Sequence, residues 1–373
     1  IFLGWQSSLP PANQQHDRPY CCPIVPRPKG CLMFPTLLAH PAHWQRTPQM
    51  SARAIRRTAP SVQSFAWPAY IRAFQKRSST RGAIQILNTI LPYIALWAAM
   101  LFLLQKGVSY LAIFPLVIAA AFFLIRTFII FHDCCHGSFM PGKWANRMVG
   151  HFTGVLTFTP FNAWRLSHLK HHATNGQLDH RGTGDVWTMT FVEYRKSSLK
   201  IRIIYRSYRN PFMMFVIVPL FLFLLLNRIP RNEPKLREWL SVMLTTAAIA
   251  GIGIAISIGF GFSHFLMIQL PIVWICSMVG VWLFYVQHQF NPGYWARDEN
   301  WNAMDAAMRG ASYYRLPAIL AWFTGNIGIH HLHHLKPGIP NYMLQETLKA
   351  TPEISETPPM TLRSSLAGLR INL

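Results

Sequence analysis

The chain has 373 residues, of which 51% are apolar and only 13% charged, against roughly 25% charged in ordinary soluble domains. That composition points to a membrane. The formal charge is +22, but the basic residues flank long apolar runs instead of forming a separate basic module, which argues against nucleic acid as a partner.

Residues 1–50 include "LPPANQQHDRPYCCPIVPRPKG", rich in proline and without helical or strand period. They are expected to be disordered or a non-native extension, with the functional chain starting at Met50. No basic stretch followed by a clean apolar core and a small-residue cleavage site marks a signal peptide there. Residues 51–83 form a basic pre-membrane segment, residues 84–350 the membrane domain and residues 351–373 a C-terminal tail.

Two apolar stretches, Ile84 to Leu104 and Val108 to Phe131, are each long enough to cross the ~30 Å hydrocarbon core as a helix. Only Gln105, Lys106 and Gly107 join them, so they predict a hairpin. Leu240 to Phe262 and Phe265 to Gln287 predict a second, turning at Ser263 and His264. The stretch "PFMMFVIVPLFLFLLL", 211–226, is short for a span and interrupted by Pro219. Arg228, Arg231, Lys235 and Arg237 follow it, and segment 132–210 carries eleven Lys or Arg. The positive-inside rule puts both flanks in the cytoplasm and makes 211–226 interfacial or re-entrant.

Six cysteines form no CxxC pair, and Cys134 and Cys135 lie side by side inside a histidine motif, so a disulfide framework is not expected. The sixteen histidines are the unusual feature. "HDCCH" supplies His132 and His136; "HLKHH" supplies His168, His171 and His172; "HHLHH" repeats the spacing with His330, His333 and His334. On a helix, residues three and four apart share a face, so each cluster is expected to present its imidazoles toward one point. His331 is out of phase and should face away. A single His pair is more often an ordinary helix face than a metal site, but three such clusters beside two membrane hairpins point to metal.

Eight imidazoles exceed the four ligands of tetrahedral zinc and suit two six-coordinate ions. Imidazole ligates zinc, copper, iron or nickel, and the set lacks the carboxylates of a magnesium site and the thiolates of a copper(I) site. Two irons with positions open for O₂ are the sensible occupants. His288, in "FYVQHQF" at the end of the fourth span, is a further candidate ligand, although such a histidine can also anchor a span end at the interface. Asp133 and Asp185 are candidates to accept a hydrogen bond from the far nitrogen of a ligating histidine, or are simple caps or surface charges. Cys134 and Cys135 are expected to be packed and protonated. Trp164, Trp187, Trp282 and Trp322 could line a narrow apolar tunnel below the second and fourth spans, but each alone reads better as part of the interfacial aromatic belt. Arg195, Lys196, Arg202 and Arg206 suit lipid phosphates or an acidic protein partner, and a merely positive-inside face is equally consistent.

The order HxxxH, HxxHH, HxxHH, together with "DHRGTGDVWTMTFVEY", "FYVQHQF" and "ASYYRLPAILAWFTGNIGIHHLHHLKPGIPNY", resembles the integral-membrane fatty acyl desaturases, bacterial Δ12 (omega-6)-like branch, over roughly residues 65–350. The resemblance implies a di-iron centre on His132, His136, His168, His171, His172, His330, His333 and His334, the residues that carry catalysis, with His288 as an added ligand. The stearoyl-type branch of that family has an Asn one helical turn before the extra histidine, where this chain has Phe284. No haem-binding His-Pro-Gly-Gly motif occurs, so electrons are expected from an external ferredoxin or cytochrome b5-type donor.

The resulting expectation is an all-α integral membrane protein of the bacterial inner membrane. It has four transmembrane helices in two hairpins, interfacial helices and a cytoplasmic di-iron cap, and it uses O₂ to desaturate a lipid acyl chain. The alternatives are a di-iron hydroxylase on an alkane, sterol-like or carotenoid substrate, and a histidine-rich metal transporter. The transporter reading fits less well, because the spans carry almost no polar ligands near the bilayer midplane.

Overall fold

The computed structural model describes residues 71–182, 184–230 and 234–372. The expectations for residues 1–50 and for the start at Met50 lie outside them. The described chain is almost wholly helical, with one pair of short strands.

The first hairpin is α1 (Ser79–Gln105) and α2 (Tyr110–His136). Ser78 caps α1 by accepting a hydrogen bond from the Arg81 N–H at 3.2 Å, which fills one of the orphan donors of a helix start. The chain reverses through Gly107 at φ +71°, a conformation that glycine adopts at little cost. The second hairpin is α8 (Leu236–Phe260) and α9 (Phe262–His288). Its break falls at Gly261, φ +93°, and not at Ser263 and His264. The glycine takes the left-handed geometry, while His264 sits in the first turn of α9 with Nδ1 2.6 Å from the Phe260 carbonyl. Among the described residues these four helices are long and apolar enough to cross a membrane.

Between the hairpins lie α3 (Lys143–Leu156), α4 (Phe161–Thr174), α5 (Phe191–Lys196) and α6 (Leu199–Arg209). A π-helical turn at Met213–Ile217 and α7 (Val218–Leu224) follow. The stretch from Met213 to Arg228 is bent by 64° from α6 and would make a fifth span only if the bent pair were counted as one. It packs on α9, where Trp274 Nε1 donates to the Val216 carbonyl at 2.7 Å.

After α9 come α10 (Ala303–Arg309), β1 (Tyr313–Arg315), α11 (Ala318–Phe323), α12 (His330–Leu335), α13 (Asn341–Ala350) and α14 (Pro352–Ser355). Then β2 (Pro359–Thr361) pairs parallel to β1, Tyr314 opposite Met360, ahead of α15 (Leu362–Asn372).

A core of Met100, Ile113, Val117, Leu124, Ile268 and Ile272 joins α1, α2 and α9. Each of those helices has 27 residues, about 40 Å at 1.5 Å per residue, so each exceeds the ~30 Å hydrocarbon core. Two of them, α2 and α9, carry histidines in their last turns. Arg126 of α2 is buried and ties three elements together. Its Nε donates to Thr89 Oγ1 at 3.1 Å, its Nη1 donates to the Trp322 carbonyl, and its guanidinium lies 3.8 Å from the Trp322 ring centroid.

The approach to the third histidine cluster is tight. Gly325 has φ +53°, and an added Cβ would lie 2.7 Å from Ile129 Cγ2 and 3.0 Å from Asn341 Oδ1. Gly325→Val should destabilise the protein by about 1–3 kcal/mol through overpacking and lower the midpoint of thermal unfolding in detergent. Gly251→Ala on α8, where a Cβ meets nothing within 4 Å, should not lower that midpoint.

Candidate metal centre

The first cluster and His288 sit at the ends of two spans, and the other two clusters sit on short helices outside the spans. His132 and His136 occupy the last turn of α2, which Gly137 ends in the left-handed conformation at φ +70°. His168, His171 and His172 lie on α4, His288 is the last residue of α9, and His330, His333 and His334 lie on α12. The structure brings all nine together.

They form two adjoining groups, and each HxxHH cluster is divided between them. His132, His136, His168, His172 and His333 bring one ring nitrogen each within 4.8 Å of one another. His171, His288 and His334 do the same, and His330 joins this second group with its Nε2 3.0 Å from His288 Nε2. The expectation that each cluster aims at a single point is therefore corrected. Neighbours at i+3 and i+4 are about 100° apart around the axis, so His171 and His172 address different centres, as do His333 and His334.

The tautomers can be read from the partners. His171 Nδ1 lies 2.6 Å from Asp185 Oδ1, and His288 Nδ1 lies 3.4 Å from the Gly310 carbonyl. Both oxygens accept only, so the Nδ1 atoms carry protons, and in the neutral form that ligates a metal each ring then presents an Nε2 lone pair. Those two Nε2 atoms face each other at 3.1 Å. Two lone pairs cannot hydrogen-bond, so the arrangement calls for an electron-pair acceptor between them. In the first group, His168 Nε2 faces both His136 Nε2 at 2.9 Å and His172 Nε2 at 3.2 Å, and His333 Nε2 faces His172 Nε2 at 3.2 Å.

Burial pushes the pKa values of His168, His172, His330, His333 and His334 well below the ordinary imidazole value, and neighbouring imidazoles lower them further. The rings are held neutral, the form that binds a metal. The donor set is all imidazole nitrogen, which fits iron and other divalent transition metals better than magnesium or calcium.

Asp133 is buried, and its Oδ1 lies 3.1 Å from His132 Nδ1. Its Oδ2 accepts from the Asn341 backbone N–H at 2.6 Å and from Asn341 Nδ2 at 2.9 Å. Gln85 Nε2 donates to Asn341 Oδ1 at 2.9 Å. This chain of partners links α1, α2 and α13, and sequence reasoning missed it because Asn341 and Gln85 lie 256 positions apart. Trp164 stacks on His168 at 4.3 Å, 22° between planes, so it lies at the centre, unlike the other three tryptophans. Trp187 packs on Tyr205 and Tyr208, Trp282 on Phe215 and Tyr285, and Trp322 on Phe123 and Arg126. Phe284 touches the His171 and His288 rings, with centroids at 5.1 and 4.9 Å. His331 faces away from both groups. It is fully buried, with Nε2 3.3 Å from the Ile354 carbonyl, and burial lowers its pKa to about 4. Cys134 and Cys135 are packed in the apolar cluster with Phe131 and Phe161.

The family model for fatty acid desaturases matches residues 108–364. A protein named fatty acid desaturase from Bacillus subtilis is 45% identical over 303 residues, covering 81% of this chain and 86% of that protein. An sn-1 oleoyl-lipid 12-desaturase from Synechocystis is 28% identical over 227 residues, 60% of this chain and 63% of its own. An sn-1 acyl-lipid omega-3 desaturase (ferredoxin) from Nostoc is 28% identical over 248 residues, 61% of this chain and 63% of its own. The matches to these last two span just under two thirds of their lengths.

Asp185→Asn keeps the shape but weakens acceptance of the His171 proton. It should lower affinity for a divalent transition metal about 10–100-fold, read as metal retained after dialysis against a chelator. Unchanged retention would detach Asp185 from the centre.

Proposed function

Because the chain belongs to the fatty acid desaturase family, whose members are oxidoreductases, we propose that it uses O₂ to introduce a cis double bond into a lipid acyl chain at a Δ12 (omega-6)-like position. The observation that carries the reading is the opposed Nε2 lone pairs of His171 and His288, within two groups of neutral imidazoles at the ends of apolar spans. The Δ12 position rests on the Synechocystis relative; the name of the Bacillus relative gives no position.

In this reading His132, His136, His168, His172 and His333 hold one iron, and His171, His288, His330 and His334 hold the other. When bound, the irons supply the O₂-dependent oxidation that removes two hydrogens from adjacent methylenes, which no side-chain acid or base achieves near neutral pH. The balance is one –CH₂–CH₂– unit, O₂, two electrons and two protons giving one –CH=CH– unit and two waters.

The chain's own residues prepare that step. Asp185 fixes the His171 tautomer with Nε2 free to ligate, and the Gly310 carbonyl does the same for His288. Asp133, clamped by Asn341, orients His132. Trp164 and Phe284 cover imidazole faces with apolar surface and keep water from them. The electrons come from an external donor of ferredoxin or cytochrome b5 type, and a ferredoxin appears in the name of the Nostoc relative. The excess of Lys and Arg in segment 132–210 supports a cytoplasmic position for the histidines.

Residues 50–373 expressed with a ferredoxin and its reductase, in a host that makes saturated and monounsaturated but no polyunsaturated lipids, should yield a new Δ9,12 diene by gas chromatography–mass spectrometry. A new double bond elsewhere would retain the desaturase and overturn the position. An oxygenated product would favour the hydroxylase. His171→Ala and His333→Ala should each abolish both iron loading and unsaturated product, and product from either variant would overturn the ligand assignment.

A further inference from the structure

Two short helices between the hairpins present a surface that the reaction does not use. On α5 and α6, Arg195, Lys196, Lys200 and Arg206 are exposed. Arg202 on the same helices has its Nε shielded without a hydrogen-bond partner among the described residues. Residues 191–210 contain six bases and a single acid, Glu193, which is already engaged by the Arg181 guanidinium and by the Thr190 N–H at 2.8 Å. The face therefore carries no free negative charge.

The same face exposes large apolar side chains: Phe191 is 74% exposed, Val192 58%, Leu199 66% and Ile203 55%. The opposite side of α6 is already in use. Tyr208 Oη accepts from the Trp187 N–H at 3.5 Å, and Tyr205 Oη accepts from the Met189 N–H at 3.3 Å. The chain then leaves α6 through Asn210, whose Oδ1 accepts from the Phe212 and Met213 N–H groups at 3.0 and 3.3 Å. It enters the apolar Met213–Leu224 stretch against α9, one of the spans. Continuity with that stretch puts α6 at the edge of the apolar layer.

We propose that the outer face of α5 and α6 is a docking surface for anionic phospholipid headgroups, its basic side chains meeting phosphate while Phe191, Val192, Leu199 and Ile203 enter the acyl boundary. Exposed apolar groups among cations with no free acid suit a negatively charged bilayer surface. An acidic soluble donor would match the charge but would bury these apolar side chains only by leaving the membrane edge. The proposal is independent of the reaction assigned above, so its test does not use catalysis.

The test uses the full chain reconstituted in vesicles of equal parts phosphatidylglycerol and phosphatidylcholine, re-extracted in mild detergent, with retained lipid measured by mass spectrometry. Wild type should retain phosphatidylglycerol over phosphatidylcholine by about fivefold or more. The combined variant R195Q/K196Q/K200Q/R206Q should bring the ratio close to one while keeping the wild-type midpoint of thermal unfolding, which reports an intact fold. The charge-keeping variant R195K/R206K should retain the preference. Equal retention of the two lipids by wild type would overturn the proposal, as would a preference untouched by the fourfold variant. Loss of ferredoxin binding in the fourfold variant with lipid preference intact would also overturn it and assign the face to the electron donor.

Discussion

The constraint on which the structure turns is the packing of neutral imidazole nitrogens against one another. His171 and His288 bring their Nε2 atoms to 3.1 Å, His172 Nε2 lies 3.2 Å from both His168 Nε2 and His333 Nε2, and His334 Nε2 is buried without a hydrogen-bond partner among the described residues. An unsatisfied buried polar atom costs about 1–3 kcal/mol. Such a cluster opposes its own assembly unless a shared cation turns the lone pairs into bonds, so the surrounding elements have to hold it in place. They do so from outside: Asp185, Asp133 and the Gly310 carbonyl each grip the far side of a ring.

That requirement explains why the helices overrun the bilayer. The last turn of α2 and the end of α9 project histidines beyond the hydrocarbon, and α4 and α12 close over them from the non-membrane side. The spans serve as rigid stalks, joined by a core of interlocked side chains and by Arg126. Ile129 and Gly325 then meet so closely that the loop before α12 has one place to run.

Much of this was legible in the sequence. Apolar length announced the spans, and the i, i+3, i+4 spacing announced the imidazoles. The turn at Gly261 was misplaced by two residues because polarity drew attention to Ser263 and His264, while the backbone needed the one residue that tolerates φ +93°. The division of each cluster between two groups was not legible either, since spacing defines a helix face but not how many centres that face straddles. Asn341 and Gln85 were invisible for a different reason. They act through Asp133 across contacts that no local pattern encodes, and an asparagine after a proline at a helix start reads as turn chemistry. Trp164 could not be separated from the interfacial tryptophans until its stacking on His168 was seen.

The pairing of β1 with β2 has a bearing on the order in which the molecule is built. The His331 backbone N–H donates to the Ser312 carbonyl, next to β1, its ring reaches the Ile354 carbonyl, and Tyr314 Oη bonds Ser365 Oγ. The helix bearing the third cluster is thus held on one side by residues that leave the ribosome only after both hairpins have been made. Ligands from the early clusters wait in the nascent chain for their partners, and the centre closes last. The site therefore cannot be complete until the chain beyond both hairpins has been made, and a half-made chain carries the histidines of two clusters without the geometry to put them to work.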